Sequence, residues 1–171
     1  YRHNTDYDNQ NYFLKSAFNT NKAPINVIAS FQERKFGANG FYASPTAINQ
    51  YEETQASLVG VTTEIKKEKL TLKPKLYWKR NQDMYVFIRD NPSVYRNLHI
   101  TNKVGAALDA SYKSNLGVTG FGIDMAKVYL SSNNLGSRHR FMTTLFLEHR
   151  FKLADNKLDI TPGIAVNYFS D

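Results

Sequence analysis

Polar and apolar residues alternate with a period of two along most of this chain, often for ten residues or more, and this pattern constrains the fold most. Successive side chains of a strand point to opposite faces, so sustained alternation describes a sheet with one apolar and one polar face. The clearest stretch is Leu70-Thr71-Leu72-Lys73-Pro74-Lys75-Leu76-Tyr77-Trp78-Lys79. Leu70, Leu72, Pro74, Leu76 and Trp78 share one face, and Thr71, Lys73, Lys75, Tyr77 and Lys79 share the other. Strands of soluble sheets usually run to ~5–6 residues, whereas a strand that crosses a bilayer needs ~9–11.

The same pattern predicts strands over 10–20, 24–33, 51–65, 70–80, 102–113, 117–128, 139–152 and 158–169. It is weakest over 51–65 and 117–126. Pro74 and Pro162 lack a ladder donor, which places each at an edge or bulge. The links at Asn19–Lys22, Lys66–Lys69, Lys113–Leu116 and Ala154–Lys157 are short and polar, while those at about 34–50, 81–101 and 129–138 are long and rich in Asn, Ser, Arg and aromatics. Short turns on one rim and long loops on the other are the plan of bacterial outer-membrane barrels. The predicted fold class is therefore all-β: an antiparallel up-and-down transmembrane β-barrel, of which this chain supplies about eight strands.

Composition is compatible with that plan. Mean hydropathy is -0.50 and no apolar run approaches the ~18 residues of a spanning helix. A barrel needs only alternate residues to be apolar. Aromatics make up 13% of the chain, with 11 Tyr and 11 Phe. Tyr12, Phe18, Phe31, Tyr51, Trp78, Tyr112, Phe151 and Tyr168 fall toward the ends of apolar faces, where amphipathic rings favour a lipid–water boundary. The chain has no cysteine, which removes disulfides, thiolate metal sites and Cys nucleophiles. The net charge of +7 is spread along strands and turns, with no nucleic-acid-binding motif, so no nucleic-acid partner is expected.

Orientation follows from the links. If short turns are periplasmic, the first strand runs toward the periplasm and the last runs outward. Both chain ends, including Tyr168-Phe169-Ser170-Asp171, then lie at the outer rim. A whole barrel of this kind places its ends in the periplasm, so the expectation is an internal segment of a larger barrel. Eight strands can also close by themselves. With no signal peptide at the start, the leader is expected to have been removed or the true N-terminus to lie elsewhere.

The links carry recognisable words. Ser30-Phe31-Gln32-Glu33-Arg34-Lys35-Phe36-Gly37-Ala38-Asn39-Gly40-Phe41-Tyr42, then Gln50-Tyr51-Glu52-Glu53-Thr54, resembles a strand and loop of TonB-dependent outer-membrane receptors of the Bacteroidetes type, cobalamin-receptor-like members in particular. Tyr77 to Pro92 resembles the next strand and loop, and Arg2 to Asp8 and Leu158 to Gly163 also fit. The resemblance implies a 22-stranded barrel plugged by a globular domain. It implies active nutrient uptake driven by the TonB-ExbB-ExbD complex across the bacterial outer membrane, with a surface lipoprotein as a further partner. The plug domain and TonB box of the family are absent from this sequence.

Phe36, Phe41, Tyr42, Tyr85, Phe87, Arg89, Tyr95 and Arg96 combine flat apolar area with charge in the long links. They are the ligand-binding candidates, for a bulky, partly polar molecule such as a corrinoid or siderophore; equally, these rings could pack together simply to order the loops. Asp6 and Asp8 form an Asp-x-Asp pair, a candidate for calcium, but Asn11 stands where an EF-hand loop has glycine. Gly37 and Gly40 suit a tight turn beside Phe41 and Tyr42. His3, His99, His139 and His149 lack zinc spacing. No catalytic constellation is present, so no enzyme is expected. The competing readings are a complete small barrel acting as an adhesin or structural protein, and a soluble β-sandwich that binds carbohydrate.

Overall fold

A computed structural model describes residues 2–20, 23–42, 44–155 and 157–170. The links predicted at Asn19–Lys22, 34–50 and Ala154–Lys157 each include residues outside that set, as does the stretch ending at Asp171. Long strands are β1 (Tyr7–Phe18), β2 (Ile25–Ala38), β3 (Gln50–Thr63), β5 (Leu70–Val86), β6 (Arg96–Ser114), β7 (Gly117–Ser132) and β8 (Gly136–Leu153). Two short strands, β4 (Ile65–Lys67) and β9 (Leu158–Ile160), accompany them, and β10 (Gly163–Ser170) ends the sheet. All eight predicted strands are present, within an all-β chain that is 75% strand.

Every pairing is antiparallel between sequence neighbours, in the order β1-β2-β3-β5-β6-β7-β8-β10, with β4 on β5 and β9 on β8. Among the described residues, strand backbones approach only those of their ladder neighbours. The sheet is therefore one layer thick, which is not the arrangement of the β-sandwich alternative. The first and last strands are not paired, so the sheet is open and does not close on itself as a lone eight-stranded barrel.

Several strands run further than the alternation predicts. β5 continues to Val86, β6 begins at Arg96, and β7 and β8 approach one another to leave only Asn133, Asn134 and Leu135 between them. The loop predicted over 129–138 is thus a tight turn, closed by Ser132, whose Oγ accepts from the backbone N–H of Asn134 and Leu135 at 3.1 and 2.9 Å. Beyond the apolar stripe both faces become polar, so alternation disappears while the ladder goes on.

The two prolines sit at ladder interruptions. The β3–β5 ladder ends at Thr62↔Lys75 and the β4–β5 ladder starts at Ile65↔Leu72, so Pro74 faces the gap. Pro162 separates β9 from β10, and its carbonyl accepts from His149 N at 3.0 Å.

Register gives the strand tilt. One row passes through Ala17, Asn26, Thr62, Lys75, Ala107, Asp124, Thr144 and Asn167. Ala17 is one residue from the end of its strand at Phe18, whereas Asn167 is nine residues beyond Leu158. The rim therefore slips about eight residues over seven strand spacings. At ~3.4 Å per residue and ~4.8 Å per strand, this inclines the strands by about 40°.

The faces are sharply different. Leu14, Ala29, Val59, Trp78 and Val104 lie in one row, with Leu76, Leu108, Ile123, Leu145, Leu147, Ile164 and Val166 on the same side below it. This face is uncovered: Leu76 is 63%, Val104 52% and Ile164 65% exposed. Only Ala38, Val86, Ala110 and Ala126 are buried apolar side chains among the described residues. The chain exposes 12016 Å², where a folded soluble protein of its mass exposes about 8,600 Å².

Candidate functional site

The two long links that remain are 39–49 and 87–95, and both leave the same rim. Gly40 turns the first at φ 64, a backbone conformation glycine adopts without strain. Its N–H donates to Ala47 O at 3.0 Å and closes the loop. The second link is closed by Phe87 N donating to Tyr95 O at 3.0 Å. Arg89 N donates to Asn49 O at 2.8 Å and ties the two links together.

Four of the candidate residues meet. The Phe41 and Tyr42 rings are edge-on with centroids 4.7 Å apart. Tyr42 meets Tyr85 edge-on at 5.6 Å, and Tyr85 meets Tyr95 at 6.4 Å. The result is a run of four aromatic rings along the rim. Phe41 is 73% exposed, while Tyr42 and Tyr95 are about half exposed. Burial, then the hydrogen bond to Glu52, pushes the Tyr42 phenol well above its ordinary pKa. Tyr42 therefore stays neutral and donates. Gln50 holds the cluster from below: it is fully buried, and its Oε1 accepts from Tyr42 N at 3.2 Å. Its Nε2 has no partner among the described residues.

Phe36, Tyr85 and Arg96 are strand residues rather than loop residues, in β2, β5 and β6, and of these Tyr85 joins the run of rings. The reason is the extra strand length: the ladder persists past the point where alternation stops. Phe36 pairs with Glu52 across the β2–β3 ladder, and Arg96 is exposed at the start of its strand. Phe87 belongs to the hinge of the second link.

Arg89 is a clamp. Its two terminal nitrogens donate to both carboxylate oxygens of Asp6, at 2.6 and 2.9 Å, and one also donates to Asn4 Oδ1 at 3.2 Å. Its guanidinium stacks 4.5 Å from the Tyr51 ring centroid. The hydrogen bond from Arg89 holds the Asp6 carboxyl below the ordinary carboxylate range. Of the Asp-x-Asp pair, Asp6 is thus already paired with a guanidinium.

Asn4 completes this strap. It takes φ 54 and its Nδ2 donates to Ile48 O and Gln50 O at 3.0 and 2.6 Å. A Cβ on Gly37 would lie 2.3 Å from Asn4 Oδ1, so Gly37 is the seat of the strap, while only Gly40 makes the turn. Asn4, Gln50 and Glu52 were not among the sequence candidates. Their partners stand more than forty residues away or depend on a loop path, and no local pattern marks them.

The histidines are dispersed. His99 bonds Ser132 Oγ at 2.8 Å, His149 bonds Thr119 Oγ1 at 2.9 Å, and His3 bonds Asn49 Oδ1 at 3.1 Å.

No family model, curated protein or solved structure matches this chain.

Proposed function

We propose that this chain forms part of the wall of a bacterial outer-membrane β-barrel, in a TonB-dependent receptor that takes up a bulky, partly polar nutrient of the corrinoid or siderophore class. The uncovered apolar face of a single-layer sheet carries the proposal. Water would leave that area exposed at a cost of roughly 25 cal/mol per Å², whereas lipid tails cover it at none. From Leu70 to Trp78 the stripe measures about 27 Å along the strand, or about 20 Å once tilted, near the ~25 Å apolar band of such barrels. The tilt of about 40° lies in their range of ~35–45°. Two unpaired edges leave places for further strands. The Tyr12–Phe31 stack, with centroids 6.5 Å apart, and Trp78, whose Nε1 donates to Asn102 Oδ1 at 3.3 Å, suit the upper boundary of the band.

In that setting the polar face lines the lumen and the rim with links 39–49 and 87–95 faces outward. The Phe41-Tyr42-Tyr85-Tyr95 run offers flat apolar area with a phenol donor, which a corrinoid or siderophore could stack on. A plug elsewhere in the protein would couple it to TonB-ExbB-ExbD, and a surface lipoprotein would sit on the outer rim.

Partition between detergent and water, with gel migration before and after boiling, tests the membrane reading. Recovery in detergent with a heat-dependent shift is expected. A chain that stays monodisperse in plain buffer would sink the proposal. For the ligand, Tyr42→Ala with Tyr85→Ala in the full receptor should lower cyanocobalamin binding at least tenfold with surface abundance unchanged. Undiminished binding would remove the rim from the site or cyanocobalamin from the class.

A further inference from the structure

We infer that the polar face carries a binding site for a small multivalent anion, built on Lys79 and Lys103. The register sets these two lysines directly opposite each other on one face of the β5–β6 ladder. Paired residues hold their Cβ atoms about 5 Å apart, and like charges placed so repel. The acids on the turn side of these lysines are already engaged. Asp109 pairs with Lys75, Glu64 pairs with Lys66 and Lys73, and Asp124 accepts from Tyr77 Oη at 2.9 Å.

The surroundings extend the imbalance. The row of Lys79 and Lys103 continues to Val128. The row above holds Asn81, Thr101 and Arg138, and the row below holds Lys15 and Tyr77. Among the described residues, no Asp or Glu occupies these three rows on this face. The first acids are Asp83 above and Asp124 below. Among the described residues, a belt that holds Lys15, Lys79, Lys103 and Arg138 and no carboxylate therefore crosses the face at mid-height.

Part of the belt is preorganised. Tyr77 lies flat where a Cβ on Gly105 would stand, 2.3 Å from its Cζ, and Asp124 fixes its hydroxyl. Lys103 Nζ rests 5.5 Å from the Tyr77 ring centroid, which holds that ammonium against the sheet. Asn81 and Thr101 place neutral donors one row above. Two lysines paired across the ladder, with amide and hydroxyl donors one row above, suit a phosphate or a polycarboxylate. The site needs only that this face be reachable from solvent, so it stands or falls separately from the membrane reading.

The test is calorimetric titration of the chain, in whichever medium keeps it monodisperse, with inorganic pyrophosphate and separately with tricarballylate. Binding of one or both is expected, the pair distinguishing phosphate from carboxylate recognition. Lys79→Gln with Lys103→Gln should weaken it at least tenfold. Lys79→Arg with Lys103→Arg should retain it, and Lys67→Gln with Lys69→Gln at the far rim should leave it unchanged. Absence of binding, an unaffected glutamine variant, or an equal loss in the rim control would overturn the site.

Discussion

Tyr77 and Gly105 are a matched pair. The ring occupies the space of a glycine side chain on the neighbouring strand, and its hydroxyl reaches Asp124 one strand further. Phe146 lies over Gly122 in the same way, with Cε1 2.2 Å from where a Cβ would be. Gly105→Ala should therefore cost about 1–3 kcal/mol by forcing the ring from its place. In a double-mutant cycle scored by denaturant unfolding, Tyr77→Ala should recover most of that loss; additive costs would show that the ring and the glycine do not interact. At the rim, the Asp6 carboxyl is held below its ordinary pKa by Arg89. A depressed carboxyl stabilises the fold above its unfolded value near 3.9, and that contribution disappears as pH falls through the lower, folded value. Both side chains are more than a third exposed, so solvent screening limits the pair to at most about 1 kcal/mol. Amide exchange over residues 2–6 should rise below about pH 4 in the native chain, and should already be high at pH 7 in Asp6→Asn. Equal protection in both would place the hold on the strap elsewhere.

At the scale of the element, alternation locates strands only where the two faces differ in polarity. Over 70–79 one face is apolar and the other cationic, and the strand could be read from sequence to within a residue at its start. From Arg80 to Asp83, and from Tyr129 to Arg140, polar residues occupy both faces, so the pattern vanished although the backbone ladder continued. The predicted 129–138 loop fails for that reason, and Tyr85 and Arg96 move from loop to strand with it. The faces themselves make a prediction. Leu76→Lys, on the apolar face, should cost about 2–4 kcal/mol if that face meets lipid, whereas Asn26→Lys on the polar face should cost little. The readout is the fraction that shows heat-modifiable migration after refolding into detergent or lipid. Equal tolerance of both would mean that the apolar face does not lie against lipid.

For the whole molecule, the sequence by itself determined the class of structure: an all-β chain of long antiparallel strands, one face apolar and one polar, in meander order. Those properties are local, since each depends on alternation within ten residues and on the polarity of the links between them. The rim aromatics were also visible as candidates, because Phe41, Tyr42, Tyr85 and Tyr95 stand in or beside the links. Which of them assemble was not. That depended on the ladder length, on the strap from Asn4 and Asp6 to Gly37 and Arg89, and on Gln50 buried beneath Tyr42. Only the tertiary structure decided that the sheet has one layer, that its edges stay open, that its strands tilt by about 40°, and that Lys79 faces Lys103. Each of these follows from register between strands. Register places residues far apart in the chain side by side, and no pattern read along a single strand encodes it.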